Sequence, residues 1–173
     1  MEQGYFQIFT GDGKGKTTAA LGLAMRASGA GLKVYIGQFI KSMEYHEVAV
    51  IRKRFPEIKL QLYGIEGCII DRDPDQCDIK AARDGYSKAM AAVKSGSYDL
   101  VILDEITIAI YFKLISAEEA LTLAAQRSPG TELVFTGRYA PKELIDAADL
   151  VTEMKEIKHY YSKGIEARDG IER

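Results

Sequence analysis

Thr10-Gly11-Asp12-Gly13-Lys14-Gly15-Lys16-Thr17 joins an apolar run, Tyr5 to Thr10, to a segment rich in alanine and leucine, Lys16 to Ala30. Alternate glycines let successive backbone N–H groups turn inward, and the start of a helix presents unsatisfied N–H groups and the positive end of its dipole. That arrangement holds phosphate. The loop follows the pattern G-x-x-x-x-G-K-[ST], with Thr10 standing where the first glycine usually falls. Gly11, Asp12, Gly13, Lys14, Gly15, Lys16, Thr17 and Thr18 are therefore the expected cradle for the triphosphate of ATP. The Lys16 ammonium supplies a charge-assisted contact and the Thr17 hydroxyl a ligand for Mg²⁺, with Lys14 as a second cation. The competing reading is a glycine-rich turn carrying solvated lysines, and what surrounds the loop weighs against it.

Outward from the loop, short β-branched and aromatic runs alternate with helix-patterned segments, the order expected when crossover helices link parallel strands. The strand candidates are 5–10, 33–40, 58–63, 100–103, 132–135 and 150–154. Gly31 suits a left-handed helix cap after Ala30. Residues 75–94 space Ile79, Ala82, Tyr86, Ala89, Met90 and Val93 along one helical face. Ser116 and Glu119 form a capping-box pattern, and Pro141 suits a first helical turn. The expected fold is α/β, a P-loop NTPase-like three-layer sandwich with a mostly parallel sheet, spanning 1–173 as one domain.

Asp99-Leu100-Val101-Ile102-Leu103-Asp104-Glu105 reads as a strand buried on both faces with two carboxylates at its C-terminal end, where open α/β sheets bind ligands. One carboxylate is expected to hold Mg²⁺ and the other to favour a helix N-terminus. The formal net charge of −2 gives no general attraction to nucleic acid or an anionic membrane, so neither is an expected partner. Charged residues at 28% and hydrophobic residues at 47% exclude a disordered chain. Cys68 and Cys77 match neither zinc nor disulfide spacing and are expected to be plain thiols. With no signal-peptide pattern and no run of about 18 apolar residues, the expected location is the cytoplasm.

A phosphate loop does not define a reaction. The run Thr10 to Ala27 resembles the ATP:corrinoid adenosyltransferases of the P-loop type, and so do four further stretches. These are Gln38-Phe39-Ile40-Lys41, Leu103-Asp104-Glu105, Thr136-Gly137-Arg138, and the tail Lys158-His159 with Gly164 to Glu172. The resemblance implies that cob(I)alamin attacks C5′ of ATP and releases triphosphate, with the nucleotide in reversed polarity. It implies Thr17 and Glu105 as Mg²⁺ ligands and Lys16, Glu105 and Arg26 as the catalytic set. Its implied partners are ATP, a corrinoid, a reductase or other electron donor for cobalt, and a second copy of the chain.

Two departures from the family pattern stand out. Members carry an N-terminal extension that helps cover the corrinoid, whereas this sequence starts a few residues before its first strand. Many have an aromatic segment that displaces the lower cobalt ligand; here the stretch is Gly64-Ile65-Glu66-Gly67-Cys68-Ile69-Ile70-Asp71, and Cys68, Ile69 and Ile70 are the side chains expected to exclude that ligand. The competing functions are a P-loop ATPase or kinase, and an ATP-dependent corrinoid-binding protein without turnover. His46 and His159 lack metal-ligand spacing and are expected in surface or hydrogen-bonding roles. Arg138 is an anion-contact candidate. Arg52-Lys53-Arg54 reads as a solvated helix face.

Overall fold

The computed structural model describes residues 2–65 and 73–172. Six strands form one sheet: β1 (Phe6–Thr10), β2 (Val34–Phe39), β3 (Ile58–Tyr63), β4 (Leu100–Asp104), β5 (Glu132–Thr136) and β6 (Leu150–Glu153). Their spatial order is β3-β2-β4-β5-β1-β6, and every neighbouring pair is parallel. The expected α/β sandwich is therefore present, with a sheet that is wholly rather than mostly parallel. All six strand candidates lie within a residue or so of the observed strands.

Period-two alternation divides the strand side chains between two cores. Val34, Ile36, Leu100, Ile102 and Val134 pack with Ala20, Ala24 and Ala27 of α1 (Lys16–Gly29) and with Val48 and Ile51 of α2 (His46–Arg54). Tyr35, Val101, Leu103, Leu133 and Phe135 face the opposite layer of α3 (Gln76–Lys94), α4 (Ile106–Tyr111), α5 (Ala117–Ala125) and α6 (Lys142–Ala147). β4 is buried along its whole length, as a central parallel strand must be. β6 lies at the edge with all four residues exposed, so its backbone ladder to β1 holds it.

Local signals behave as their chemistry dictates. α1 ends in a Schellman arrangement in which Leu32 N–H bonds Ala27 O and Gly31 N–H bonds Ser28 O, with Gly31 at φ 79°. Asp75 with Asp78, and Ser116 with Glu119, form reciprocal capping boxes. Arg52, Lys53 and Arg54 are exposed on α2. Pro141 precedes α6 as its N-cap in extended conformation instead of occupying the first turn. In α3, Gly85 lies beneath the Tyr63 ring, where a Cβ would come within 2.6 Å of Cγ. That missing side chain lets the helix settle on the sheet.

Candidate functional site

Because the strands are parallel, their C-terminal ends share one edge of the sheet, and the chain turns there after β1, β2, β4 and β5. The loop after β1 is pressed against the backbone that leaves β6. A Cβ on Gly11 (φ 97°) would lie 2.5 Å from Met154 O, and one on Gly13 would lie 2.7 Å from the same atom. Gly13 N–H donates to Met154 O at 2.7 Å, so this amide is used in bracing the loop. Gly15, at φ 119°, caps α1, whose first internal bond runs from Ala19 N–H to Gly15 O. By helix geometry the N–H groups of Lys16, Thr17 and Thr18 have no acceptor within the helix. These three amides stand at the cleft end of α1, whereas the Gly13 amide, expected in the same cradle, is taken by Met154 O.

Lys16 is 8% exposed, and its Nζ donates to Gly11 O at 2.6 Å and Gly13 O at 2.8 Å. Burial, helped by the Arg138 charge, holds its pKa below the ordinary lysine value against the pull of Glu105, Asp12 and Asp104. A desolvated ammonium held by two neutral carbonyls is poised to take an anionic partner.

β4 delivers Asp104 between two strands that reach it with polar side chains. Register places Gln38 of β2 opposite Asp104, and β5 carries Thr136 alongside. Asp104 is 1% exposed. Its Oδ1 accepts from Thr136 Oγ1 at 2.6 Å and Thr17 Oγ1 at 2.9 Å; its Oδ2 accepts from Lys41 Nζ at 2.8 Å and Gln38 Nε2 at 3.0 Å. Burial alone would raise this carboxyl, but the Lys41 charge and the donated hydrogen bonds outweigh it and hold the pKa below the usual range. Thr136 Oγ1 also accepts from Glu105 N–H at 3.0 Å.

Glu105 caps α4 in left-handed conformation (φ 58°) and makes no side-chain cap bond, so its carboxylate is not spent on the helix. It lines the cleft instead. Burial, and then the nearby Asp104 charge, raise its pKa above the ordinary glutamate value against Lys41, Lys16 and Arg138. Gly137 (φ 134°) makes room behind it: a Cβ there would lie 2.2 Å from Thr107 Oγ1 and 3.2 Å from Glu105 Oε2. The two adjacent carboxylates thus differ in kind, one buried and fully hydrogen-bonded, the other raised in pKa and facing the cleft.

The cleft has a volume of about 860 Å³ and runs from the phosphate loop to Ile40–Met43, Tyr45 and Glu47. Asp12 through Thr18 line it, together with Glu105, Arg138, Ile171 and Glu172; Gly11 contributes through its carbonyl to Lys16. Arg138 Nη2 donates to Asp12 O at 3.2 Å, while Thr107 Oγ1 donates to Arg138 O at 2.7 Å and fixes the turn. The tail crosses the rim. Lys14 Nζ meets Glu172 Oε1 at 2.9 Å and Ile171 O at 3.1 Å, and His46 Nε2 lies 2.9 Å from Asp169 Oδ1. Arg168, Tyr160 and Lys14 hold the Glu172 carboxyl well below its usual range. His159 lines the cleft and accepts Tyr161 N–H on Nδ1, a hydrogen-bonding role.

A family model for ATP:corrinoid adenosyltransferase BtuR/CobO/CobP matches residues 2–173. The chain belongs to this family. It is 36% identical to a Sinorhizobium corrinoid adenosyltransferase over 99% of its own length and 81% of the relative's. It is 33% identical to one from Escherichia coli K12, across 99% of this chain and 86% of that one, and 35% identical to one from Pseudomonas aeruginosa, across 99% and 84%.

For a member of the corrinoid adenosyltransferase family, the structure gathers Lys16, Thr17 and Glu105 into one cleft. Arg26 stands apart. It is exposed in the last turn of α1 and is not among the residues that line the cleft, although Met25 beside it is. Cys68, Ile69 and Ile70 lie outside the described residues; Cys77 is a free, exposed thiol. Lys41, Gln38 and Thr136 were visible only as members of quoted stretches. Their part in the site comes from strand register, which spacing along the chain does not contain.

Proposed function

We propose that this chain transfers the adenosyl group of ATP to a cobalt(I) corrinoid. The electron pair on cobalt forms the bond to C5′ of ATP, the C5′–O bond breaks, and its electron pair leaves with the triphosphate. The observation that carries this reading is the convergence of Lys16, the helix N-terminus, Thr17 and Glu105 on one cleft in a chain of this family. No side-chain nucleophile is needed. The protein's work is to bind and orient the triphosphate and to stabilise the charge that collects on it. Lys16 exchanges its loop carbonyls for phosphate oxygens, the α1 amides donate to the same group, and Arg138 faces it from the turn after β5.

The residues present fit Mg²⁺, a hard cation bound by oxygen. Thr17 gives its proton to Asp104, which turns an oxygen lone pair outward, and Glu105 offers a carboxylate in which burial favours any positive partner. Mg²⁺ held by Thr17 and Glu105 would neutralise charge on the leaving triphosphate. ATP places the proposed reaction in the cytoplasm. An electron donor for cobalt and a second copy of the chain are further proposed partners, resting on the family likeness.

An anaerobic assay with ATP, Mg²⁺ and chemically reduced cob(I)alamin tests the reading. Adenosylcobalamin formed with stoichiometric triphosphate supports it; ADP or phosphate without alkylation returns the chain to the ATPases and kinases. Glu105→Gln is expected to slow adenosylation and shift the Mg²⁺ dependence to higher concentration, yet to raise the melting temperature of the ligand-free protein at neutral pH. The sign follows from linkage: a carboxyl with a raised folded pKa favours the protonated folded state, and stability is lost as pH rises from the ordinary glutamate value through the raised one. The variant's advantage should therefore shrink toward acid pH, as melting curves across pH would show.

A further inference from the structure

Lys41 sits where the metal reading meets an obstacle. Its Nζ lies 2.8 Å from Asp104 Oδ2 and 3.3 Å from Thr17 Oγ1. The Thr17 hydroxyl has a single proton, which is donated to Asp104, so the contact from Lys41 falls on the oxygen's lone-pair side. That oxygen has two lone pairs; the ammonium takes one and sets its charge beside the other, which a metal ligand must offer. An ammonium thus occupies the cation position of the Thr17 and Asp104 pair.

The backbone is bent to put it there. Ile40 has φ 67°, a left-handed conformation that a β-branched residue adopts only under strain. Gly64 is fitted against the same peptide, where a Cβ would lie 2.5 Å from Lys41 C and 2.6 Å from Ile40 C. A purely structural ion pair would be closed off with its partner. Lys41 instead lines the cleft, its side chain 19% exposed beside an Asp104 side chain that is 2% exposed. Its ammonium therefore has a path from the buried carboxylate toward a ligand in the cleft. Acidic groups surround that path: Asp104 beneath, and Glu105 and Glu47 on the cleft wall.

We propose that Lys41 is a resident cation that excludes free divalent metal from Thr17 and yields its place only when a triphosphate enters with the metal. Bare Mg²⁺ would have to displace an ammonium whose other acidic neighbours, among the described residues, are Glu105 and Glu47. A triphosphate changes the balance, because it brings several negative charges into the same cleft and gives the displaced ammonium a new counter-ion. Metal and nucleotide are thereby bound as a unit, and Lys41 moves from holding Thr17 to contacting the substrate's phosphates. This rests on the phosphate and metal part of the proposed function, not on the alkyl transfer.

The test uses the full chain with Mn²⁺ as the probe, protein-bound metal being measured by equilibrium dialysis at matched free Mn²⁺ with and without inorganic triphosphate. Wild type is expected to bind Mn²⁺ alone at least tenfold more weakly than in the presence of saturating inorganic triphosphate. Lys41→Met should bind Mn²⁺ alone at least tenfold more tightly than wild type, and Lys41→Arg, which keeps the charge, should restore the exclusion. Equal Mn²⁺ affinity in wild type and Lys41→Met overturns the proposal. Should Lys41→Met not fold, wild type binding Mn²⁺ equally well with and without triphosphate overturns it on its own. A failed adenosylation assay with this Mn²⁺ pattern intact would sink the transferase reading and leave the Lys41 assignment standing.

Discussion

Lys16→Ala is expected to weaken ATP binding at least tenfold and to slow adenosylation by about 10²–10³-fold, with the melting temperature of the ligand-free protein near that of wild type. Tenfold is about 1.4 kcal/mol, less than a charge-assisted hydrogen bond in a desolvated site commonly contributes. The larger effect on rate follows because charge gathers on the triphosphate as the C5′–O bond breaks, and losing one donor aimed at developing charge has that order of cost. Stability should change little because two effects oppose each other. The variant loses hydrogen bonds to Gly11 O and Gly13 O, but it also sheds an ammonium whose pKa burial already holds below its ordinary value. Equilibrium ATP titration, single-turnover adenosylation and a thermal melt measure the three quantities separately. An ATP affinity equal to wild type would remove Lys16 from the phosphate site.

The loop was legible because its chemistry is local. Glycines that must adopt φ of 97° and 119°, a lysine one residue before a threonine, and the start of a helix all lie within eight residues, so spacing alone fixes their relation. The strands were legible for a similar reason: β4 is apolar on both faces, which only a central parallel strand requires. What spacing could not supply was the company that Asp104 keeps. Gln38 lies 66 residues from it, and Thr136 lies 32 residues away. Only the order β2-β4-β5 puts both beside it.

The two carboxylates show the same limit. In sequence Asp104 and Glu105 are equivalent neighbours, and the family resemblance, not the residues, favoured Glu105 as the metal-facing one. The structure separates them through backbone conformation: β4 ends at Asp104 with its side chain sealed between strands, and the positive φ of Glu105 turns the next side chain into the cleft. The sequence allowed a helix to start at this pair of carboxylates, but the six residues of α4, Ile-Thr-Ile-Ala-Ile-Tyr, are largely β-branched and apolar and carry no helical period of their own. Arg26 was carried from the resemblance alone; its side chain is exposed on α1 next to Met25, which lines the cleft.

Asp104→Ala is expected to destabilise the protein by about 3–5 kcal/mol, the cost of removing the buried acceptor that the Lys41 ammonium and three further donors share. Set against a typical total of about 5–15 kcal/mol, that puts folding itself in question. The loss would be felt at four donors at once, since Lys41, Gln38, Thr17 and Thr136 all point at this carboxylate. Removing both charges together should be far milder: Asp104→Asn with Lys41→Met leaves no isolated ion, and the two substitutions should be strongly non-additive in a double-mutant cycle by urea denaturation. Acid titration gives an independent check. Because the folded pKa of Asp104 is depressed, its stabilisation is present above the ordinary aspartate value and is lost as pH falls through the depressed one. Wild type should therefore lose more stability on acidification than the neutralised double variant. If the two acid profiles coincide, the Lys41 and Asp104 pair is not what holds the ends of β2, β4 and β5 together beneath the cleft.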